Sequence, residues 1–156
     1  MTFNISYRDK LAYLAGIIDG EGTICIRPNK LSYSPSISVG STSPSLISWL
    51  EINFGGTVSQ KKLHGNRQDS QVWVLHKREL VRNLLIEIYP HLIIKQLNAH
   101  LVYQFYNEFP ARKRCSAAEK VRMKQYAEAA SLLNARGDSA NITKASVTRM
   151  LLHQVV

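Results

Sequence analysis

Two carboxylates stand between glycines in the segment LAGIIDGEG, which runs from Leu14 to Gly22. Asp19 and Glu21 follow apolar residues at helical spacing, so we expect them at the C-terminal end of a helix. That end carries unpaired carbonyl groups and roughly half a negative charge, which favours cations over acids. Two acids there lower stability unless a cation binds, and carboxylate and carbonyl oxygens are the ligands that Mg²⁺ prefers.

The charge of the chain indicates a polyanionic partner. Its 156 residues include 20 Lys and Arg against 11 Asp and Glu, a formal net charge of +9. Nucleic acid is the first class of partner that this balance suggests, ahead of an anionic membrane. The two cysteines, Cys25 and Cys115, form neither a disulfide framework nor a C-x-x-C motif, so we expect reduced, intracellular thiols. We expect neither a signal peptide nor a membrane span.

The periodicity of the chain predicts helices that alternate with hairpins. A helix is predicted from about Ser6 to Asp19, with Ser6 as its N-cap, and others over about 45–54, 79–87, 91–108, 117–133 and 144–155. Alternating apolar and polar residues predict one hairpin in TICIRPN and SPSISVGS, and a second in TVSQKK and SQVWVLH. The order α-ββ-α-ββ-α-α-α predicts a single α+β domain over 1–156, with a core of about 6–110 and a helical extension of about 111–156.

Motif and element order together resemble the LAGLIDADG homing endonucleases. LAGIIDGEG matches that signature at six of nine positions, and Ile17, Gly20 and Glu21 are the departures. The resemblance covers most of the chain and points to the short members that carry one motif and act as homodimers. It implies an α+β fold with a curved antiparallel DNA-binding sheet and C-terminal helices. The implied function is a site-specific endonuclease that makes double-strand breaks in a long pseudo-palindromic DNA target by Mg²⁺-dependent phosphodiester hydrolysis, which promotes mobility of its host intron.

The resemblance also implies the active site. The last acid of the motif is a metal ligand and maps onto Glu21, with the Gly20 carbonyl beside it; Mn²⁺ could replace Mg²⁺. HLIIKQLNAHL resembles the segment that supplies a basic residue near the cleaved phosphate, which maps onto Lys95, with Gln96 next to it. A polar residue that organises water in relatives maps onto Ser41. For Lys95 the alternative is a lysine whose stem lies along a core helix.

The strands are predicted to lay one face in the major groove of DNA, which admits a two-stranded ribbon. The residues predicted to face the core are Ile24, Ile26, Ile37, Val39, Val58, Val72 and Val74. The predicted readers of bases on the opposite face are Cys25, Arg27, Asn29, Ser36, Ser38, Ser59, Lys61, Gln71 and Trp73, with Tyr33 and Arg67 at the loop tips. Phosphate contacts are predicted for Arg112, Lys113, Arg114, Thr143 and Lys144.

A single motif supplies one carboxylate pocket, so a second copy of the chain is needed to cut both strands. Ala12 and Gly16 share a helix face and leave room for a second helix, and Asp19 is predicted at the same interface. In such a dimer two metals would meet near the two-fold axis and stabilise the attacking and leaving oxygens. The predicted partners are therefore double-stranded DNA and a second copy, with no membrane and no small-molecule substrate.

Two other functions on the same scaffold stay open. One is an RNA-binding intron maturase, and the other is a regulator that binds DNA without cutting it. The presence of both Glu21 and Lys95 favours cleavage. We expect an intracellular location, in a prokaryotic cytoplasm or in a chloroplast or mitochondrion.

Overall fold

The structure, a computed structural model, describes residues 5–62, 69–111 and 114–135, together with 145 and 147. The helices are α1 (Tyr7–Gly20), α2 (Pro44–Phe54), α3 (Arg78–Ile88), α4 (Gln96–Glu108) and α5 (Ala117–Asn134), with a 3-10 helix at Tyr89–His91. The strands are β1 (Gly22–Pro28), β2 (Tyr33–Ser41), β3 (Thr57–Lys61) and β4 (Ser70–Leu75). This order confirms the predicted α+β fold through α5. Most of the predicted last helix, 144–155, lies outside the described residues.

The strands form a sheet in the order β1-β2-β4-β3. In the antiparallel pairing of β2 with β4, Ile37 lies opposite Leu75 and Val39 lies opposite Trp73. β3 pairs with β4 in the same sense, with Val58 opposite Trp73. Directly opposed residues of antiparallel strands project from the same face. This face is the core face, because Ile37, Val39, Trp73 and Leu75 are all fully buried.

The pairing corrects the predicted orientation of β4. Val72 and Val74, which we expected in the core, are half-buried on the other face, opposite Gly40 and Ser38. The segment QVWVL is apolar at both parities, so alternation alone could not assign its faces. The larger Trp73 takes the core side instead.

Contacts within the chain divide it into two compact units, Met1–Thr23 with Ser36–Ile94, and Ile24–Pro35 with Lys95–Val156. The predicted single domain stays a prediction. In the first unit α1 packs against α3 and the 3-10 helix. The buried residues of these two α-helices are Leu11, Leu14, Ala15, Ile18, Val81, Leu84, Leu85 and Ile88.

In the second unit, α4 and α5 pack around aromatic rings. Phe105, Phe109 and Tyr126 contact one another with centroid distances of 5.1 to 5.9 Å. The Tyr126 hydroxyl donates to Glu108 at 2.6 Å, and Arg122 Nε donates to the same carboxylate at 3.0 Å. Burial and the hydrogen bond to Glu108 raise the pKa of Tyr126 to about 12, so its phenol keeps the proton that it donates.

Two asparagines of this unit hold the backbone of β1. Asn98 Nδ2 donates to Asn134 Oδ1 at 3.1 Å, and Asn134 Nδ2 donates to the carbonyl oxygens of Ile24 at 2.8 Å and Ala130 at 2.9 Å. Ile24, Cys25 and Ile26 are consecutive and all buried, so both faces of β1 are covered here. Buried amides need such partners, since an unpaired one costs stability. Within the described ranges, no helix is both long and apolar enough to cross a membrane.

Candidate active site and nucleic-acid interface

Glu21 lies at the C-terminal end of α1, as predicted. It is the C-cap residue, and its N–H donates to the carbonyl oxygens of Ile17 and Ile18. Gly20 and Glu21 are both exposed, and no basic residue occupies the last turn of the helix. Within the part of the chain that the structure describes, the Glu21 side chain makes no hydrogen bond or ion pair. The carboxylate and the negative pole of the helix are thus open to solvent together.

The oxygen atoms at this end of α1 fit a hard divalent cation. The Glu21 carboxylate and the Gly20 carbonyl are oxygen donors, and the helix pole adds negative potential. Among residues 5–62, 69–111 and 114–135, no group of three or more His, Cys, Asp and Glu could hold a metal.

Gly22 sets the direction in which β1 leaves α1. A Cβ at this position would lie 2.6 Å from the Cα of Ile18, a contact that no side-chain rotation relieves. The helix ends without a left-handed glycine, since neither Gly20 nor Gly22 has a positive φ. The final glycine of the motif is required for space, and it fixes the backbone next to Glu21.

Asp19 has a different environment from Glu21. Its Oδ2 accepts hydrogen bonds from the N–H groups of Ile93 at 2.7 Å and Ile94 at 3.2 Å. The structure thus gives Asp19 a structural role, and its place at a dimer interface stays a prediction. α4 begins at Gln96, five residues after the predicted start at 91. Leu92, Ile93 and Ile94 continue the apolar pattern of a helix, but their segment is not helical.

Lys95 is the N-cap residue of α4, and Gln96 is its first residue. Lys95 directly precedes the helix, and the alternative of a lysine whose stem lies along a core helix stays open. Ser41 is the last residue of β2, and its Oγ accepts a hydrogen bond from the N–H of Ser43 at 3.0 Å. The catalytic roles of Glu21, Lys95, Ser41 and Gln96 stay predictions.

The face of the sheet opposite the core carries small polar side chains. Ser38 lies opposite Val74, Ser59 opposite Val72, and Lys61 opposite Ser70. The predicted readers Ser38, Ser59 and Lys61 therefore share this face. Thr57 shares it too and is exposed, although sequence reasoning missed it. Its spacing of two residues from Ser59, and of four from Lys61, could have placed it on the same strand face.

Four predicted readers do not lie on an exposed polar face. Trp73 is fully buried on the core face, where its Nε1 donates to the Gly55 carbonyl at 2.6 Å. Gln71 has the same parity and lies opposite Ser41. Cys25 and Ser36 are only 8% and 7% exposed. Trp73 and Gln71 were misplaced because the opposite side of β4 faces the core. Cys25 and Ser36 were misplaced because β1 and β2 are covered at these positions.

Three further predicted readers lie in the first hairpin, and Tyr33, predicted at a loop tip, is instead the first residue of β2. Arg27 and Asn29 are exposed, and Tyr33 is half-buried. Asn29 Oδ1 accepts from the N–H groups of Leu31 at 3.0 Å and Ser32 at 2.7 Å, so Asn29 also shapes the turn. Arg114 is exposed ahead of α5. The other predicted contacts lie outside the described residues: Arg67, Arg112, Lys113, Thr143 and Lys144.

One face of α1 carries small residues that are exposed. Ala12, Gly16 and Gly20 are spaced four apart, and all three are exposed. Apart from chain neighbours and the backbone of α1 itself, no atom of the described residues lies within 4 Å of a Cβ built at Gly16 or at Gly20. Tyr13, beside this face, is also exposed.

Comparison with known proteins gives matches in structure. No family model matches the sequence. No curated protein sequence matches it either. The homing endonuclease I-CvuI in complex with its target has a TM-score of 0.63 at 19% identity, over 91% of this chain and 94% of that chain. The archaeal intron-encoded homing endonuclease I-Vdi141I complexed with DNA has a TM-score of 0.67 at 15% identity, over 92% and 97%.

A third solved structure is the LAGLIDADG homing endonuclease I-GzeII in complex with its DNA target, with a TM-score of 0.54 at 16% identity. It is matched over 77% of this chain and 43% of that chain. The chain therefore has the fold of the LAGLIDADG homing endonucleases, which confirms the predicted fold. That fold is a scaffold on which these neighbours bind DNA.

Proposed function

We propose that this chain, on the LAGLIDADG homing endonuclease scaffold, cuts both strands of a long pseudo-palindromic DNA target by Mg²⁺-dependent phosphodiester hydrolysis. The observation that carries the proposal is the exposed Glu21 at the negative pole of α1, with no basic residue in the last turn. An acid at this pole lowers helix stability. Binding a divalent cation gives that acid a purpose.

The residues of the proposed site have separate roles. The Glu21 carboxylate and the Gly20 carbonyl would hold Mg²⁺, or Mn²⁺ in its place. When bound, the ion polarises a phosphoryl oxygen and lowers the pKa of coordinated water. The Lys95 ammonium would stabilise the negative charge that grows on the cleaved phosphate. Ser41 and Gln96 would orient water by hydrogen bonds.

A second copy of this chain completes the proposed enzyme. The exposed small residues Ala12, Gly16 and Gly20 of α1 support close packing of two helices about a two-fold axis. Such a dimer predicts a pseudo-palindromic target, because each copy reads one half-site. Sedimentation of the chain at micromolar concentration, with and without DNA, checks the dimer. A monomer under both conditions would contradict it.

The polar sheet face would read the bases. Ser38, Thr57, Ser59 and Lys61 share that face, and Arg27 is exposed near the tip of the first hairpin. Arg114 and the basic residues at 112, 113 and 144 would bind phosphate, and the net charge of +9 supports this division. A break at such a target would promote mobility of a host intron, inside a prokaryotic cell or an organelle.

Cleavage of a randomised double-stranded DNA library tests the proposal. We expect cut ends that converge on one pseudo-palindromic sequence in the presence of Mg²⁺ and no cut ends with EDTA. A parallel selection with randomised RNA provides the comparison. Specific DNA binding without cutting would instead support the non-cleaving regulator. Preference for structured RNA would support the maturase.

A further inference from the structure

The carboxylate of Asp19 joins the end of α1 to the segment that precedes α4. Its Oδ2 accepts from Ile93 N at 2.7 Å and from Ile94 N at 3.2 Å, across more than 70 residues of sequence. Hydrogen bonds to an ionised acceptor are stronger than neutral ones. Asp19 stands two residues before Glu21, and Ile94 stands one residue before Lys95.

The segment that Asp19 binds has few side chains to anchor it in this chain. Residues 93–95 belong to neither helix nor strand. The side chains of Ile93 and Ile94 are 87% and 67% exposed, so they bury little apolar surface here. Leu92, just before them, is buried and its N–H donates to Ile88 O at 3.2 Å. At the other end of the segment, the Lys95 carbonyl accepts from the Ala99 N–H at 3.1 Å, in the first turn of α4. Between these two points, the bonds to Asp19 hold the backbone N–H groups of Ile93 and Ile94.

We propose that Asp19 is a positioning residue for cleavage, because its carboxylate fixes the backbone that leads directly into Lys95. This rests on the proposed function, in which Lys95 acts on the cleaved phosphate. The two acids of LAGIIDGEG then have different uses: Glu21 binds the metal, and Asp19 holds the segment that presents the basic residue. Metal binding by Glu21 and the backbone hydrogen bonds of Asp19 would each account for an acid at a helix end whose negative pole disfavours acids.

Hydrogen exchange of the Ile93 and Ile94 amides tests the restraint without reference to cleavage. In Asp19→Ala these two amides should exchange roughly 10-fold faster or more than in the wild type, since charged hydrogen bonds are lost. Asp19→Asn keeps an oxygen acceptor and should lie between the two. Glu51→Ala, which removes an exposed acid from α2, is the matched control and should leave both rates unchanged. Equal rates in Asp19→Ala and the wild type would overturn the proposal.

Single-turnover cleavage with saturating enzyme tests whether Asp19 acts through Lys95. Asp19→Ala should lower the cleavage rate by roughly 10-fold or more, with DNA affinity unchanged, and Asp19→Asn should restore most of the rate. In a Lys95→Met background, Asp19→Ala should cause no further loss. Losses that add in the double variant, or a parallel fall in DNA affinity, would overturn the positioning role.

The two measurements separate this proposal from the proposed function. A wild-type chain that cuts no DNA would overturn the proposed function, while the exchange rates would still decide whether Asp19 holds this backbone. If Asp19→Ala does not fold, Asp19→Asn gives the same comparison with a smaller effect in both measurements.

Discussion

The two ends of α1 carry acids under opposite conditions. At the N-terminal end, Ser6 Oγ accepts from the Asp9 N–H at 3.2 Å, and Asp9 lies in the first turn, where the positive pole favours an acid. At the C-terminal end, Asp19 and Glu21 stand at the negative pole, and no basic residue occupies the last turn. The first end follows the rules of helix stability, whereas the second departs from them.

Lys95, like Glu21, has a charge of the same sign as the helix end at which it stands. It is the N-cap residue of α4, so a cation stands at a positive pole, and no acid occupies the first turn of that helix. Residues that oppose the local helix charge are expected where binding or reaction requires them. Under the proposed function, Glu21 and Lys95 serve metal binding and reaction, whereas Asp9 stabilises its helix. Their removal should therefore reduce activity without reducing stability.

The largest expected effect is that of Glu21→Gln on cleavage. The substitution keeps the shape and removes a charged metal ligand, so single-turnover cleavage in Mg²⁺ should fall by roughly 10³-fold. Sequence-specific DNA binding, measured by gel shift in Ca²⁺, should be nearly unchanged. Cleavage by Glu21→Gln at the wild-type rate would contradict the proposal that Glu21 is a metal ligand.

Lys95→Met should reduce turnover by about 10²-fold, because it keeps the aliphatic stem and removes the charge that stabilises the transition state. The melting temperature should be unchanged or slightly higher, since a cation at a positive pole is removed. Thermal denaturation and single-turnover cleavage of one preparation measure both. Unchanged turnover with a lower melting temperature would mean that Lys95 is structural.

Gly22→Ala should destabilise the chain by about 1 to 3 kcal/mol, because the new Cβ would meet the Ile18 backbone at 2.6 Å. Gly20→Ala is the matched control, since no atom of the described residues, apart from chain neighbours and the backbone of α1 itself, lies within 4 Å of a Cβ built there. Urea unfolding at equilibrium compares the two variants. Equal stability would show that β1 can leave α1 without a glycine.

The smallest expected effects are opposite changes in stability at the two ends of α1. Asp9→Asn should lower the free energy of unfolding by about 0.3 to 1 kcal/mol, and Glu21→Gln should raise it by a similar amount. Both differences should shrink in 1 M salt, where charge interactions are screened. Urea unfolding without divalent ions measures them. The same sign at both ends would contradict the comparison.

Features with local causes could be predicted from the sequence. The bounds of α1 follow from the Ser6 cap, the apolar period and the glycines around Glu21. The start of α4 could not be predicted, because Leu92, Ile93 and Ile94 continue the apolar pattern of a helix, and the contact that holds their backbone comes from Asp19, 74 residues away. Cys25 was misplaced because both faces of β1 are covered around it, and one contact there comes from Asn134 of α5, far along the chain. Which side of β4 faces the core could be assigned only from its pairing with β2 and β3, because the residues on both sides of the strand are apolar.

The pairing of the sheet has an evolutionary consequence. Ser38, Ser59 and Lys61 project from one face, while Val39 and Trp73 project from the other into the core. Substitutions of Ser38, Ser59 or Lys61 therefore replace none of the side chains that fill the core. If this face reads DNA as proposed, a lineage can exchange one recognition sequence for another by neutral steps. Its fold would stay intact while its target diverged.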